Sequence, residues 1–196
     1  MPWPLPVTLS GKHATLVPLS QDHAADLTES VLDGELWKLW YTTIPSPDGV
    51  KAEIDRRLGL QASGSMLPFA ILTPDGKAVG MTTFMNIDAA NKRVEIGSTW
   101  NRKSVQRSSL NTECKLMLLT HAFEDLNCIA VEFRTHFMNQ QSRTAIERLG
   151  AKFDGVLRSH MRMADGTLRD TAVYSILSHE WPAVKASLRF KLEQRG

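Results

Sequence analysis

The sequence predicts an α+β protein in which a mixed, mostly antiparallel sheet carries helices on both faces. Between Phe69 and Trp100, three extended runs are separated by the short turns Pro74–Gly76 and Asp88–Asn91, an arrangement typical of antiparallel neighbours. From Val94 to Thr135, an extended run is followed by a long amphipathic helical pattern and then by a second extended run. Helical and extended segments that alternate in this way bury their apolar faces against one another in layers.

The first half of the chain contains two amphipathic helices among extended segments. Met1–Ser10 holds three prolines and predicts an extended arm. Ser20 precedes a helical pattern that runs to Leu32, with a polar cap and an acidic first turn. Val50–Gln61 has the spacing of a second amphipathic helix. The extended segments of this half are predicted at Ala14–Leu19, Phe69–Thr73, Ala78–Ile87 and Arg93–Trp100.

The second half contains three further helices, a strand and a hairpin. A helix is predicted inside Ser104–Glu124, and Ile129–Thr135 is predicted to be the strand that follows it. Ser142–Leu149 has the pattern of a short helix that stops at Gly150. The last predicted elements are the strands Val156–Met163 and Leu168–Leu177, the turn Ala164–Thr167 between them and the terminal helix Glu180–Glu193.

Composition and charge predict one globular domain over residues 1–196. The chain is 42% hydrophobic and 22% charged with a net charge of +2, which gives no basis for binding nucleic acid or a membrane surface. No window reaches the roughly 18 apolar residues of a membrane span, and the N-terminus does not resemble a secretory signal. Cys114 and Cys128 are predicted to be small core residues, and the six histidines lack metal-ligand spacing. We therefore expect a cytoplasmic protein without a metal.

The segment Ser104–Glu124 combines a polar loop with a strong helical pattern. Apolar residues recur at intervals of three and four from Leu110 to Ala122 and place one stripe on a core. Ser108 and Ser109 stand directly before the pattern, where an N-cap belongs. The first N–H groups of a helix have no intrahelical partner and can bind an anion. The segment therefore predicts an anion-binding turn between two strands.

Two further features of the sequence have alternative interpretations. Trp37, Trp40 and Tyr41 crowd into the segment Leu36–Tyr41, either as a core cluster or as the aromatic wall of a substrate cleft. In the final hairpin, basic residues alternate, either as a solvated face or as a patch that selects acidic substrates. These basic residues are Arg158, His160 and Arg162.

The run Asn139–Gly155 has the sequence NQQSRTAIERLGAKFDG. It resembles the N-x-x-S-x-x-x-I-E-x-x-G segment that follows the fifth strand in the RimJ/RimL-type branch of the GNAT superfamily of acetyl-CoA-dependent N-acetyltransferases. Four other segments are similar to that branch in the same order, so the resemblance spans nearly the whole chain. These segments are Leu9–His23, Glu95–Trp100, Asn111–Leu119 and Asp165–Leu177.

The resemblance implies a GNAT-like sheet of about seven strands, with a parallel pair that splays apart at the cofactor. The splayed strands would be Val94–Trp100 and Ile129–Thr135. It also implies direct transfer of acetyl from acetyl-CoA, in a ternary complex, to a primary amine. The amine would be a protein or peptide N-terminal α-amine or a small-molecule amine. Contacts at the sheet edge or the final hairpin could support a homodimer.

The implied cofactor site departs from the family at its loop. The superfamily usually has glycines in this loop, whereas this chain has none and places Ser109 at the first glycine position. We therefore expect either helical dihedral angles in the loop or weakened cofactor binding. A non-catalytic acetyl-CoA-binding module or an interaction protein is the alternative function. The implied cofactor-binding residues are Gln106, Arg107, Ser108, Ser109, Leu110, Asn111, Thr112, Asn139 and Ser142.

Glu95 is the first candidate for a general base, because related enzymes often carry an acid on this strand. The alternative is a solvated glutamate paired with Arg93 or Arg134. Glu113 is a second candidate base, although a glutamate in the first turn usually serves the helix dipole. An α-amine, with a pKa of about 7.7–8.0, is partly neutral near pH 7, whereas a lysine amine at about 10.4 is almost wholly charged. A modest base therefore suffices for an N-terminus.

Ser142 is the candidate for protonating the departing CoA thiolate, or it caps the helix that follows. Some relatives use a tyrosine further along this helix, but Ile146 stands at that position here. Asn139 could hydrogen-bond pantetheine or cap the same helix. His136 lies just past the predicted strand, close to the expected gap.

Overall fold

The protein folds around one eight-stranded sheet. The computed structural model describes residues 3–194. The strands are β1 (Leu9–Ser10), β2 (Thr15–Pro18), β3 (Met66–Leu72), β4 (Ala78–Asp88), β5 (Arg93–Asn101), β6 (Ala130–His136), β7 (Lys152–Arg162) and β8 (Leu168–Leu177). The helices are α1 (Ala24–Leu32), α2 (Val50–Ala62), α3 (Ser109–Thr120), α4 (Gln140–Leu149) and α5 (Trp181–Glu193). The strand order is β1-β2-β3-β4-β5-β6-β8-β7, and only β5 and β6 run parallel among the paired strands described.

Each face of the sheet has its own apolar core, because successive side chains of a strand point to opposite faces. Along β3, Phe69 and Ile71 pack with α3, α4 and α5, whereas Ala70 packs with α1 and α2. Leu118 of α3 and Leu27 of α1 are fully buried on their respective faces. The predicted α+β class, the mixed sheet and the helices on both faces are confirmed.

Differences from the predicted elements occur at their ends. The sheet has eight strands rather than about seven, because Leu9 and Ser10 at the end of the predicted arm pair with β2. Met1 and Pro2 of that arm lie outside the described residues. The helix predicted from Ser20 opens as a 3-10 turn, and His23 Nδ1 accepts a hydrogen bond from the Ser20 N–H at 3.1 Å. This local cap delays the start of α1 until Ala24.

The edge strand β7 exposes several apolar side chains. Phe153, Leu157 and Met161 are 50%, 40% and 48% exposed. A long unpaired strand edge can accept another strand, so the expected homodimer contact stays a prediction for this edge. Among residues 3–194, no helix is long and apolar enough to cross a membrane.

Hydrogen bonds to Glu113 link α3 to the turn between β1 and β2. Its carboxylate accepts three hydrogen bonds, from the backbone N–H groups of Lys12, His13 and Ala14 at 2.9, 2.6 and 2.8 Å. A Cβ atom on Gly11 would lie 2.4 Å from this carboxylate, so the turn requires glycine there. Glu113 is buried in this contact. With its acceptor capacity engaged by backbone N–H groups, it is a structural residue rather than a general base.

We expect Glu113→Gln to lower the free energy of unfolding by roughly 1.5–3 kcal/mol, because buried N–H groups lose a charged acceptor. Urea denaturation measures this change. Glu29→Gln, on the exposed side of α1, is the matched control and should change stability by less than about 0.5 kcal/mol. A Glu113→Gln protein of unchanged stability would show that the three N–H groups do not depend on the carboxylate.

Candidate active site

The candidate site is built on the parallel pair of strands, which separates after three residues. Arg93–Glu95 of β5 pair with Ala130–Glu132 of β6, and the pairing ends there within the described residues. Beyond Glu95, β5 continues to Asn101 along β4, and β6 continues to His136 along β8. The facing edges of β5 and β6 therefore leave backbone N–H and C=O groups open to a gap. An extended molecule can hydrogen-bond such edges as a further strand would.

Glu95 lies at the end of the paired part of β5, where the gap opens, and is only 4% exposed. Its Oε2 accepts a hydrogen bond from Asn86 Nδ2 at 2.6 Å and lies 3.4 Å from Arg134 Nε. Burial raises the pKa of Glu95 above its ordinary value, and the Asn86 hydrogen bond and the Arg134 charge oppose this effect only in part. The alternative of a solvated glutamate does not hold, because the side chain is buried, although the pairing with Arg134 is present.

Glu132 is the parallel neighbour of Glu95 and has the opposite pKa shift. Burial alone would raise the pKa of Glu132, but hydrogen bonds from Arg134 and Arg93 hold it below its ordinary value. Glu132 therefore stays ionised and holds Arg134 at 2.8 Å. Two neighbouring carboxyl groups whose pKa values are pushed apart are typical of acid–base sites. Of the two, Glu95 is the group suited to exchange a proton.

The aromatic segment after α1 reaches the far end of β6. The Trp40 ring packs edge-on to His136 at 5.2 Å and to Tyr41 at 5.6 Å, and it is 56% exposed. Trp37 instead packs against the core between α1, α2 and the sheet. Trp37 therefore belongs to a core cluster, whereas Trp40 and Tyr41 lie on the surface beside β6, where a role as the wall of a substrate cleft stays a prediction.

The loop between β5 and α3 is tied down at its start and capped at its end. Asp33 accepts hydrogen bonds from Arg102 Nε and the Ser104 N–H, both at 3.0 Å, and these bonds with Ser104 and Arg102 lower its pKa to about 2. Gln106 donates its amide to the Asn101 carbonyl at 2.9 Å. The side chain of Gln106, predicted to bind cofactor, therefore holds the loop against β5.

Ser108 is the N-cap of α3. Its Oγ accepts from the Leu110 N–H at 3.2 Å and donates to the Val105 carbonyl at 2.7 Å. By α-helix geometry, the N–H groups of Ser109 and Asn111 have no intrahelical acceptor, whereas Thr112 begins the regular pattern. The Leu110 side chain is buried in the core. The groups of this turn that can donate to an anion are therefore the N–H groups of Ser109 and Asn111 and the Arg107 side chain, because the Ser108 hydroxyl donates to Val105.

Arg107 has a left-handed backbone conformation two residues before Ser109, the position of the first expected glycine. Its φ is +64°, so the alternative of helical dihedral angles in the loop is wrong, and weakened cofactor binding stays a prediction. This conformation costs a non-glycine residue roughly 1–2 kcal/mol. Arg107 is exposed and borders a cavity of about 720 Å³ in front of α3. The cavity is lined by His13, Pro74, Ser104, Val105, Arg107, Ser108, Ser109 and Leu110.

Asn139 and Ser142 meet at the start of α4. Asn139 is the N-cap, and its Oδ1 accepts from the Ser142 N–H at 3.0 Å. Ser142 is the third residue of the helix rather than its cap. Its hydroxyl makes no hydrogen bond with the residues that the structure describes, 3–194. The capping role therefore belongs to Asn139, and the Ser142 Oγ–H stays available to another molecule.

Comparison with known proteins identifies the family. The family model for the acetyltransferase (GNAT) domain matches residues 13–152, which is most of the chain. The chain belongs to the GNAT family of acetyltransferases. A GCN5-related N-acetyltransferase from Brucella melitensis has the same fold, with 30% sequence identity, a TM-score of 0.86 and coverage of 97% of this chain and 87% of that one. The resemblance inferred from the Asn139–Gly155 motif is confirmed.

Two further similar proteins carry more specific names. A Bacillus subtilis (strain 168) protein named "Putative ribosomal N-acetyltransferase YdaF" is 32% identical over 111 residues. The match covers 57% of this chain and 60% of that protein, so it spans less than two thirds of the relative. Mycobacterium smegmatis RimJ, solved in complex with CoA-disulfide, shares the GNAT fold at 22% identity, with a TM-score of 0.80 and 95% coverage of both chains.

Several residues of this GNAT site have no clear signal in the sequence. Asn86 donates to Glu95 from a residue with φ of +46°, where β4 and β5 lose their regular register. Glu132 lies on a strand with an ordinary alternating pattern, whereas Arg134 on the same strand was a predicted partner of Glu95. At Asn86 the residue type is an indication in itself, because asparagine tolerates positive φ better than most other non-glycine residues. Among residues 3–194, no cluster of side chains could hold a metal ion.

Gly97 leaves room for the Glu95 carboxylate. A Cβ atom at Gly97 would lie 2.8 Å from Glu95 Oε1 and 2.7 Å from Met85 Sδ. We expect Gly97→Ala to displace these two side-chain ends and to lower the turnover number roughly 10-fold, because a general base must keep its hydrogen-bond geometry. Steady-state kinetics with acetyl-CoA and an amine measures the change.

Gly59→Ala is the control for this substitution. Gly59 lies on the exposed side of α2, where an added methyl group would meet no atom within 4 Å. Alanine there should raise stability by about 0.5–1 kcal/mol without affecting turnover. Full turnover in Gly97→Ala would mean that the carboxylate position does not limit the reaction.

Proposed function

We propose that the protein is an N-acetyltransferase that moves the acetyl group of acetyl-CoA to the N-terminal α-amine of a protein or peptide. The observation that supports this function most directly is Glu95, a buried carboxyl with a raised pKa at the opening of the splayed strand pair. A base in this position lies beside the edges on which an extended cofactor can bind. Membership of the GNAT family points to the same chemistry.

The chain offers groups that can bind the phosphates and the amide-containing arm of acetyl-CoA. The first turn of α3 offers N–H groups at Ser109 and Asn111, with Arg107 beside the adjoining cavity. Arginine and helix N-termini both favour phosphate groups. The open edges of β5 and β6 offer hydrogen bonds to an amide-containing arm. Acetyl-CoA, when bound, supplies the activated acetyl group, and the residues around it bind, orient and exchange protons.

The proposed transfer is direct. The acceptor nitrogen uses its lone pair to form a bond to the thioester carbonyl carbon, and the carbon–sulfur bond breaks with its electron pair left on sulfur. One proton of the acceptor nitrogen passes to the Glu95 carboxylate, directly or through water. The sulfur takes up a proton, for which the Ser142 hydroxyl is the proposed donor. The serine then regains a proton from solvent, and Glu95 releases its proton to solvent. No covalent bond to the protein forms at any point.

The nature of the base favours an α-amine as acceptor. An α-amine loses its own proton near pH 7.7–8.0, whereas a lysine amine loses it near 10.4 and would need a stronger base. Trp40 and Tyr41 beside His136 are the proposed contacts for the acceptor chain. The name of the Bacillus subtilis relative makes the N-termini of ribosomal proteins the first acceptors to test. Acetylation of such proteins would take place in the cytoplasm.

A peptide panel tests the proposal. Each peptide is supplied once with a free N-terminus and once with a blocked N-terminus and an internal lysine, and CoA release and peptide mass are followed. We expect acetylation of free N-termini and little of the internal lysines. Acetyl-CoA binding by calorimetry without turnover on any peptide, amino-acid amide or polyamine would support the non-catalytic module instead. Absence of any acetyl-CoA binding would contradict both functions.

We expect Glu95→Gln to lower the turnover number roughly 100-fold, because the amide cannot accept a proton. Since burial raises the pKa of Glu95, the ionised carboxylate is disfavoured in the fold, and the neutral amide should leave the unfolding temperature unchanged or raise it. The native protein should lose activity as pH falls through the raised pKa, and the variant should lack this limb. A pH–rate profile of both proteins shows whether Glu95 causes the loss of activity at low pH, and Glu29→Gln is the surface control.

Substitutions at the start of α4 should separate a cap from a proton donor. Asn139→Ala removes the cap and should cost about 1 kcal/mol of stability. Ser142→Ala removes a hydroxyl without an intramolecular partner in the described chain, so we expect unchanged stability and a lower turnover number. Thermal unfolding and kinetics of the two variants measure both effects. If Ser142→Ala keeps full turnover, the thiolate takes its proton from water.

A further inference from the structure

Lys115 is a buried cation in the middle of α3. It is only 6% exposed, and its Nζ donates to Thr99 Oγ1 at 2.9 Å and to Thr82 Oγ1 at 3.3 Å. Within residues 3–194, no carboxylate lies in ion-pair distance of this ammonium group. Burial lowers its pKa to about 8, so most molecules still carry the charge at neutral pH. A buried charge without a counter-ion costs stability, so its presence calls for a reason.

The lysine contacts an irregularity in β5. Met81 is paired with Trp100 and Thr83 with Gly97, so Thr82 alone faces the two residues Ser98 and Thr99. This is the arrangement of a β-bulge, which bends a strand and redirects its backbone groups. Ser98 has a φ of +48°, in the left-handed region. The Thr82 and Thr99 hydroxyls lie 2.7 Å apart and link Lys115 to the bulge.

A second buried cation holds the bulge from the opposite face. Arg57 of α2 is 1% exposed, and its Nη2 donates to the Ser98 carbonyl at 3.1 Å while Nη1 donates to Thr83 Oγ1 at 2.8 Å. Glu53 pairs with Arg57 Nε at 2.7 Å and keeps the guanidinium in place. Because α2 and α3 lie on opposite faces of the sheet, the bulge is held between two cations.

The bulge lies where the thioester would be. It begins three residues beyond Glu95, on the part of β5 whose edge toward β6 has no strand partner in the described chain. If Glu95 receives a proton from the acceptor amine, directly or through water, the carbonyl under attack lies beside the part of β5 that follows Glu95. Negative charge develops on that carbonyl oxygen during the attack. Fixed positive charge in a water-poor site stabilises such charge without reorganisation.

We propose that Lys115 is a positioning residue for acetyl transfer, which fixes the β5 bulge together with Arg57 and adds positive potential where the thioester carbonyl lies. The inference rests on the proposed function. Lys115 forms no bond to the acetyl group and gives up no proton in the reaction. An apolar side chain of equal volume would pack this site at lower cost. Lys115 therefore lowers the stability of the fold but supports the reaction, as residues at functional sites often do.

Lys115→Met tests the inference, since methionine has a similar length and no charge. We expect a higher unfolding temperature at pH 7, a dissociation constant for acetyl-CoA within about 3-fold of the native value, and a turnover number roughly 10-fold lower. The carbonyl stretching band of bound acetyl-CoA, measured by infrared difference spectroscopy with a ¹³C-labelled acetyl group, should move toward its frequency in water. Lys51→Met, on the exposed side of α2, is the matched control and should change none of these quantities.

A stable Lys115→Met protein with the native carbonyl band and native turnover would overturn the inference. The band is measured without an acceptor, so it tests Lys115 even if no amine is acetylated; failure of all acceptors on the native protein would refute the proposed function alone. Should Lys115→Met fail to fold, Thr99→Val removes the hydroxyl that links the lysine to the bulge. We expect a band shift of the same sign and a turnover number about 3-fold lower, and an unchanged band in that variant would contradict the inference.

Discussion

The short parallel pairing of β5 and β6 is the constraint on which the rest of the site depends. Three paired residues hold the strands together, and the separation beyond Glu95 and Glu132 leaves two strand edges that no other strand of the described chain can satisfy. Unpaired backbone groups cost free energy unless water or a ligand pairs with them. The sheet tolerates this gap because each strand is held on its other side, β5 by β4 and β6 by β8. The gap is thus stable in the fold and open to an extended ligand.

The charges around the gap follow from the same pairing. Parallel register puts Glu95 and Glu132 side by side, where like charges would repel each other. Arg93 and Arg134 take up the charge of Glu132, whereas Glu95 has an amide and a more distant guanidinium. One carboxyl is therefore a fixed anion and the other can gain and lose a proton. Two residues of the same type acquire different chemistry from their neighbours on adjacent strands.

The sequence predicted what depends on local pattern and missed what depends on distant contacts. Helices, strands and the parallel pair follow from periodicity and from the Asn139–Gly155 motif, and all of them are present. Glu113 looked like a first-turn glutamate, because its three N–H partners lie about a hundred positions earlier in the chain. The sequence did not predict the burial of Lys115 either. Its burial depends on the bulge in β5, which no periodicity indicates.

Strained backbone conformations occur both in the glycine-free loop before α3 and in the β5 bulge. Among residues 3–194, seven non-glycine residues have positive φ, and three of them border the candidate site: Asn86 beside Glu95, Ser98 in the bulge and Arg107 before α3. Each conformation costs of order 1–3 kcal/mol and persists only where the surroundings over-determine it. Arg57 determines it at Ser98, and the hydrogen bond to Glu95 does so at Asn86. At Arg107, the flanking residues are fixed by the Gln106 amide and the Ser108 cap. A glycine at this position would relieve the strain but would remove the guanidinium from the cavity beside the first turn of α3.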